Sequence, residues 1–208
     1  MKGKLFAVSG PSGVGKNTVL NRVIQLRENV QYSVSATSRA MRPGEIDGKS
    51  YYFVTREAFE KMIAGGELLE HAEYVGNYYG TPVKPIRAAM DAGIDVVMDV
   101  DVVGALNIKE RLPETVLVFL TAPSMQEIRR RLQSRGDVDP QALEGRMERA
   151  KWECEQAERY EYLVVNDTVE HAAAELNAIM TAEKCRMMDR IHCIKEELSC
   201  FTPQCRNY

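Results

Sequence analysis

Residues 9–18 read Ser-Gly-Pro-Ser-Gly-Val-Gly-Lys-Asn-Thr and directly follow the apolar run 5–8. A strand that empties into a glycine-rich turn carrying a lysine, with a helical pattern behind it, is the layout of a phosphate-binding loop. Gly10, Pro11, Ser12, Gly13, Val14 and Gly15 form the curl, and its backbone N–H groups can turn inward toward one anion. The helix behind it brings the positive end of its dipole, and Lys16 adds a full charge. Asn17 stands where the usual pattern has a hydroxyl beside Mg²⁺, and Thr18 follows one place later. The pattern calls for a nucleotide; a glycine-rich turn without a ligand is the plainer alternative.

Other polar residues could act on a second anion. Arg39 and Arg42, three apart, offer planar forks for a phosphate, and the phenols of Tyr51 and Tyr79 offer neutral donors. Glu70 and Glu73 lie on a strand pattern, and Asp99 and Asp101 flank the end of an apolar run. Taken singly, the arginines read as a solvated loop, the glutamates as one wet strand face, and Tyr78-Tyr79 as ordinary core or surface aromatics. Arginines also bunch from Arg129 to Arg149.

The frame that must position these groups is an α/β one. The chain has 208 residues, 45% apolar and 27% charged, with net charge −3. That suits one compact domain with insertions, or two closely joined lobes. The charge balance argues against nucleic acid as partner. No stretch has the ~18–20 apolar residues of a membrane span, and the start runs into the first strand without a secretory leader pattern. Five cysteines in an odd, non-CxxC arrangement read as reduced thiols, and His192-Cys193 fits no zinc spacing. A cytoplasmic location is the expectation.

Strand-length apolar runs at 5–8, 94–98, 116–120 and 162–165, with a shorter candidate at 34–36, alternate with helical patterns. That alternation predicts a parallel sheet covered on both faces. Ser124 with Glu127, and Asp167 with Glu170, read as capping boxes; Asp139-Pro140 reads as a cap followed by proline at the first helical position. Segment 37–88 differs: strands at 51–54 and 68–75 and a helix at 56–64 ending at Gly65-Gly66 predict a small mixed lobe between the second and third core strands. Residues 135–139 read as a mobile lid. Beyond 181, Met180, Met187, Ile191, Ile194 and Leu198 form a helical stripe, read as a helix packed on its own domain, with a dimer seam as the alternative. Residues 202–208 read as disordered.

Segments 35–45, 47–54, 70–73, 76–81 and 99–105, in this order behind the glycine loop, resemble the guanylate kinases, which transfer the γ-phosphoryl group of ATP to GMP. The resemblance runs from about residue 4 to 180. It implies a P-loop kinase fold: a five-stranded parallel sheet with helices on both faces, an inserted mixed α/β GMP-binding lobe and a mobile lid. The core would be 1–36 and 89–181 with the lid at about 135–146, the lobe 37–88, and the helical tail 182–208 extra to the family.

By the same resemblance Arg39, Arg42, Tyr51 and Tyr79 hold the GMP phosphate, and Glu70 accepts from the guanine N1–H and N2–H. Asp99 is a second acceptor, Ser35 and Thr81 serve O6 or N2–H, and Glu45 and Asp101 join the substrate set. Lys16, Arg42, Arg135 and Arg146 match the catalytic cations. Asn166 and Asp167 match the adenine side. ATP is the implied co-substrate, with Mg²⁺ held mainly through water and phosphates and Asn17 or Thr18 as the protein groups within reach. GMP and dGMP are the implied acceptors, and a homodimer through the C-terminal helix is possible. Arg129, Arg130, Arg131 and Arg149 read as helix-surface charges.

Three positions depart from the family pattern: Asn17, Val102-Val103 where glutamine is common, and Ser38 for threonine. A catalytically silent relative that binds a phosphorylated protein is the rival reading. Such modules typically have a damaged P-loop and lid, whereas Lys16, Arg42, Arg135 and Arg146 are all present here.

Overall fold

The computed structural model describes residues 2–134 and 140–200. The chain runs β1 (Leu5–Ser9), α1 (Lys16–Leu26), β2 (Val30–Tyr32), β3 (Ala36–Thr37), β4 (Tyr52–Phe53), α2 (Arg56–Ala64), β5 (Leu68–Tyr74) and β6 (Asn77–Pro82). It continues through α3 (Val83–Asp91), β7 (Asp95–Asp99), α4 (Val102–Arg111), β8 (Val116–Thr121), α5 (Met125–Gln133), α6 (Pro140–Glu155), β9 (Tyr162–Val165), α7 (Val169–Glu183) and α8 (Met187–Cys200). The lid segment 135–139, with Arg135 and the Asp139 cap, and the tail end 202–208 lie outside the described residues.

Five strands form an all-parallel sheet in the order β2-β7-β1-β8-β9. Alternation along β1 explains its two covered faces. Phe6 and Val8 point into a core with α1, α5, α6 and α7, and Leu5 and Ala7 into one with α3 and α4. Every β1 residue is fully buried, which is why such strands read as unbroken apolar runs. Burial of one Phe or Leu side chain stabilises by roughly 1.5–3 kcal/mol.

The chain turns to opposite sides after β1, because its neighbours are β7 and β8. That reversal opens a crevice at the carboxyl end of β1, where ligands of open α/β sheets bind. The glycine loop occupies it.

The fifth core strand is not 34–36 but β2, Val30–Tyr32. Ala36–Thr37 instead pairs with β4 and β6 in a second, four-stranded sheet of order β4-β3-β6-β5. Both segments are short and each has a single β-branched residue, Val30 and Thr37, so apolar content alone did not separate them. The lobe's sheet carries α2 on a core of Ala36, Phe59 and Leu68, with Phe59 stacked 5.3 Å from Tyr78. Thr55 caps α2 through the N–H of Ala58, and Gly65 accommodates its end.

Ser124 caps α5 by accepting from Glu127 N–H, as the sequence predicts. At α7 the cap is Thr168, which accepts from His171 N–H, and not Asp167. Asp167 lies one place earlier, where its carboxylate accepts from Thr168 N–H and His171 Nδ1.

The tail is anchored at its root. Lys4 meets Asp189 at 2.7 Å, Arg186 bonds Glu183, and Lys184 meets the fully buried Asp95 at 2.9 Å. Beyond that root Met187, Ile194 and Leu198 stay exposed, so the expected packing of the stripe on its own domain does not extend along α8.

Candidate functional site

The loop between β1 and α1 has the curl its glycines call for. Gly10 has φ 145° and leaves no room for a side chain: a Cβ there would lie 1.9 Å from the carbonyl oxygen of Leu120 on β8. Gly15 takes a left-handed φ of 89° as it opens α1, so no side chain caps the first amides of the helix. Those amides remain available to an anion. Lys16 folds back over the loop, donating to Gly10 O at 2.8 Å and lying 3.7 Å from the Asp99 carboxylate. Ser12, Gly13, Gly15, Lys16, Asn17, Thr18 and Asp99 line a cavity of about 240 Å³.

Asp99 also lines a second cavity, of about 250 Å³, with Glu70, His71, Asp101, Val103, Gly104 and Asn107. The two hollows thus share one carboxylate at the end of β7. Burial raises the Asp99 pKa above the ordinary aspartate value, opposed by the nearby Lys16 ammonium. Glu70, on β5, is also raised, first by burial and also by the charge of Asp101; the Thr81 hydroxyl, donating at 2.6 Å, and His71 act the other way. Gly104 keeps the hollow open: a Cβ there would meet Val100 at 2.6 Å and approach Glu70 within 3.7 Å. Asp101 caps α4 by accepting from Gly104 N–H at 2.7 Å, and its other oxygen lies 4.0 Å from Arg149. Val103 lines the cavity, and Val102 is buried.

On the lobe, Arg39 donates to both oxygens of Glu45, at 2.7 and 3.1 Å, and Glu45 also accepts from Arg42 N–H at 2.7 Å. These bonds hold the Glu45 carboxyl below the usual range and raise Arg39. The Arg39 guanidinium lies 5.6 Å from the centre of the Tyr51 ring, which meets Tyr79 edge-on at 6.1 Å. Arg39, Glu45, Tyr51 and Tyr79 therefore form one cluster, with Arg42 exposed at its rim. Ser35 is half-buried beside it, its carbonyl accepting from Tyr52 N–H. Glu73 faces away and pairs with Arg56 at 3.3 Å.

Asn166, at the end of β9, is buried and donates to Val14 O in the loop at 2.6 Å. Arg131 is not a surface charge. It bonds Glu127 on its own helix, Val14 O at 3.4 Å and Asn166 O at 2.9 Å, and so ties α5 and β9 to the loop. Arg130 and Arg131 hold Glu127 down to about 2. Arg129 bridges to Glu144 on α6 at 2.7 Å, and Arg146 on α6 is exposed. Arg149 bonds Glu153 at 2.9 Å and lies over the Trp152 ring, mostly exposed as expected. Asp167 is exposed and paired with His171. Sequence reasoning missed Tyr32, whose phenol reaches Asn17 at 3.2 Å, and Asn107 and His71 in the second cavity; nothing in their local pattern marks them.

A loop built for phosphate and an acid-lined hollow, meeting at one carboxylate, fit a site that holds two ligands side by side. The guanylate kinase family model matches residues 2–183. The chain belongs to the guanylate kinase family. It is 48% identical over 198 residues to the guanylate kinase of Halalkalibacterium halodurans, covering 94% of this chain and 97% of that one. It is 49% identical to that of Lactococcus lactis, covering 91% and 92%. The crystal structure of guanylate kinase from Anaplasma phagocytophilum superposes with a TM-score of 0.69 at 36% identity, covering 89% of this chain and 88% of that one. The architecture is thus the P-loop kinase fold. The chain is a guanylate kinase in activity, a GMP phosphotransferase, and nothing favours the catalytically silent alternative. α8 begins beyond the end of the family match.

Proposed function

We propose that ATP binds with its phosphates on the glycine loop and GMP binds with its base in the Glu70 cavity, so that phosphoryl transfer takes place beside Asp99. The observation that carries this reading is the meeting of the two cavities at that residue. Ionised Glu70 accepts from guanine N1–H and N2–H; Thr81 already bonds one of its oxygens and fixes the carboxylate plane. Ser35 and Asp99 add further polar groups at the base, and Asp101 holds the α4 end of the cavity.

Arg39, Arg42, Tyr51 and Tyr79 take the GMP phosphate, with Glu45 holding Arg39 and the Arg42 backbone in place beforehand. One GMP phosphate oxygen attacks the γ-phosphorus of ATP. The bond from that phosphorus to the β–γ bridging oxygen breaks, giving GDP and ADP. The protein contributes alignment and cancellation of charge: Lys16 and Arg42 from the core and lobe, Arg135 and Arg146 from the lid side. Asn166 and Asp167 flank the adenine end.

Mg²⁺ fits this donor set. Among the described residues no three acidic, His or Cys side chains form a metal cluster, whereas Asn17 and Thr18 line the phosphate cavity. Water, phosphate and the Thr18 hydroxyl would hold the ion, which would supply charge neutralisation. dGMP is a further acceptor, because no group of the base or phosphate set requires the 2′-hydroxyl. A second copy of the chain covering the exposed α8 stripe, and a cytoplasmic setting, complete the reading. No helix among the described residues is long and apolar enough to cross a membrane.

A coupled assay with ATP, Mg²⁺ and GMP tests the transfer, with AMP as the discriminating acceptor. Turnover with GMP at least ~10⁴ above that with AMP is expected for a site of buried hydrogen bonds. Equal turnover would refute the base assignment.

A further inference from the structure

Asn17 is the chain's departure from the loop pattern, and the structure gives it a partner. Tyr32 ends β2, beside Val97 of β7, and its hydroxyl donates to Asn17 Oδ1 at 3.2 Å. We propose that Tyr32 is a positioning residue for Asn17: the phenol holds the carboxamide oxygen, so that Asn17 meets the triphosphate as an N–H donor and not as a metal ligand.

Three observations support this. First, the phenol is the donor in its contact with Asn17, 3.2 Å from Oδ1. A carboxamide whose oxygen receives that proton has its two N–H bonds left for the other side. Second, Tyr32 is largely buried, and burial pushes its ionisation up to about 12, so the donor persists at any working pH. Third, Asn17 lines the cavity that also contains Lys16 and the first amides of α1. Apart from the Asp99 carboxylate, which pairs with Lys16, these are groups that can donate to a polyanion, and an amide oxygen turned inward would oppose its charge.

The inference rests on the nucleotide reading of the loop, and the test separates the two. ATP would be titrated calorimetrically into the wild type and into Tyr32→Phe, Asn17→Asp and Asn17→Ser, once in EDTA and once with Mg²⁺. GMP titration and melting temperature would serve as controls for folding. In EDTA, Asn17→Asp is expected to lose about tenfold or more in ATP affinity, the scale of a hydrogen bond to a charged group. Tyr32→Phe is expected to lose about threefold or more, with GMP affinity retained. Asn17→Ser is expected to widen the ratio between affinities with and without Mg²⁺. Unchanged EDTA affinity in Tyr32→Phe, or Asn17→Asp binding ATP more tightly when Mg²⁺ is present, would overturn the proposal. Failure of the wild type to bind ATP in either condition would instead overturn the nucleotide reading.

Discussion

In the proposed site, the Glu70 side chain sets both specificity and a pH limit. Its carboxylate is useful to guanine only when ionised, yet burial makes ionisation harder than for a free glutamate. As pH falls, GMP affinity should therefore weaken sooner than the ordinary glutamate value of ~4.3 would suggest. The test is KM for GMP against pH, and a Glu70→Gln variant should lose that dependence. The same variant should lose GMP-over-AMP selectivity by about 10² or more. Its effect on the free protein has the opposite sign. A raised folded-state pKa means the unfolded chain gives up this proton more readily, so Glu70 costs stability as pH rises through its folded pKa. Glu70→Gln should then match or exceed the wild-type melting temperature at neutral pH. A marked drop would mean the residue serves the fold. Arg146 is the second residue-scale test: Arg146→Ala should lower kcat by roughly 10³ with little change in KM for GMP.

At the scale of elements, legibility followed burial. β1, β7 and β8 are covered on both faces and announce themselves as apolar runs, and the edge strand β9 reads the same way from Tyr162-Leu163-Val164-Val165 although Leu163 is exposed. The edge strand β2 is three residues, Val30-Gln31-Tyr32, with one exposed, and too short to show a pattern. The same limit hid Tyr32, because its role depends on the position of β2 beside β7. Capping was read correctly at Ser124 and one residue early at α7, since Asp167 and Thr168 are both good caps and only backbone geometry chooses between them. Thr168→Ala should cost about 1 kcal/mol in urea unfolding, and Asp167→Ala less; the reverse order would restore the sequence reading. Arg131 was misread because helical spacing cannot show that the loop carbonyl of Val14 lies beyond it. The loop glycines were legible, and Gly10→Ala should be among the most damaging single changes. Its Cβ would meet the Leu120 carbonyl, and a cost of at least ~3 kcal/mol should appear in the melting curve.

At the scale of the molecule, the base-binding and phosphate-binding parts come from different sheets. The lobe around the four-stranded sheet supplies Arg39, Tyr51, Glu70 and Tyr79, the core around the five-stranded one Lys16 and Asp99, and α6 Arg146. Because Arg146 is exposed in the free protein, its proposed role in transfer predicts that these parts move together. Scattering should show a smaller radius of gyration with GMP and a non-hydrolysable ATP analogue both bound than with either alone. The most direct measurement is the crystal structure of that ternary complex. The expected result places guanine N1–H and N2–H on Glu70, the GMP phosphate among Arg39, Arg42, Tyr51 and Tyr79, and the triphosphate on the amides that follow Gly10. GMP seated away from Glu70, or a triphosphate off the glycine loop, would contradict the assignment of the two cavities.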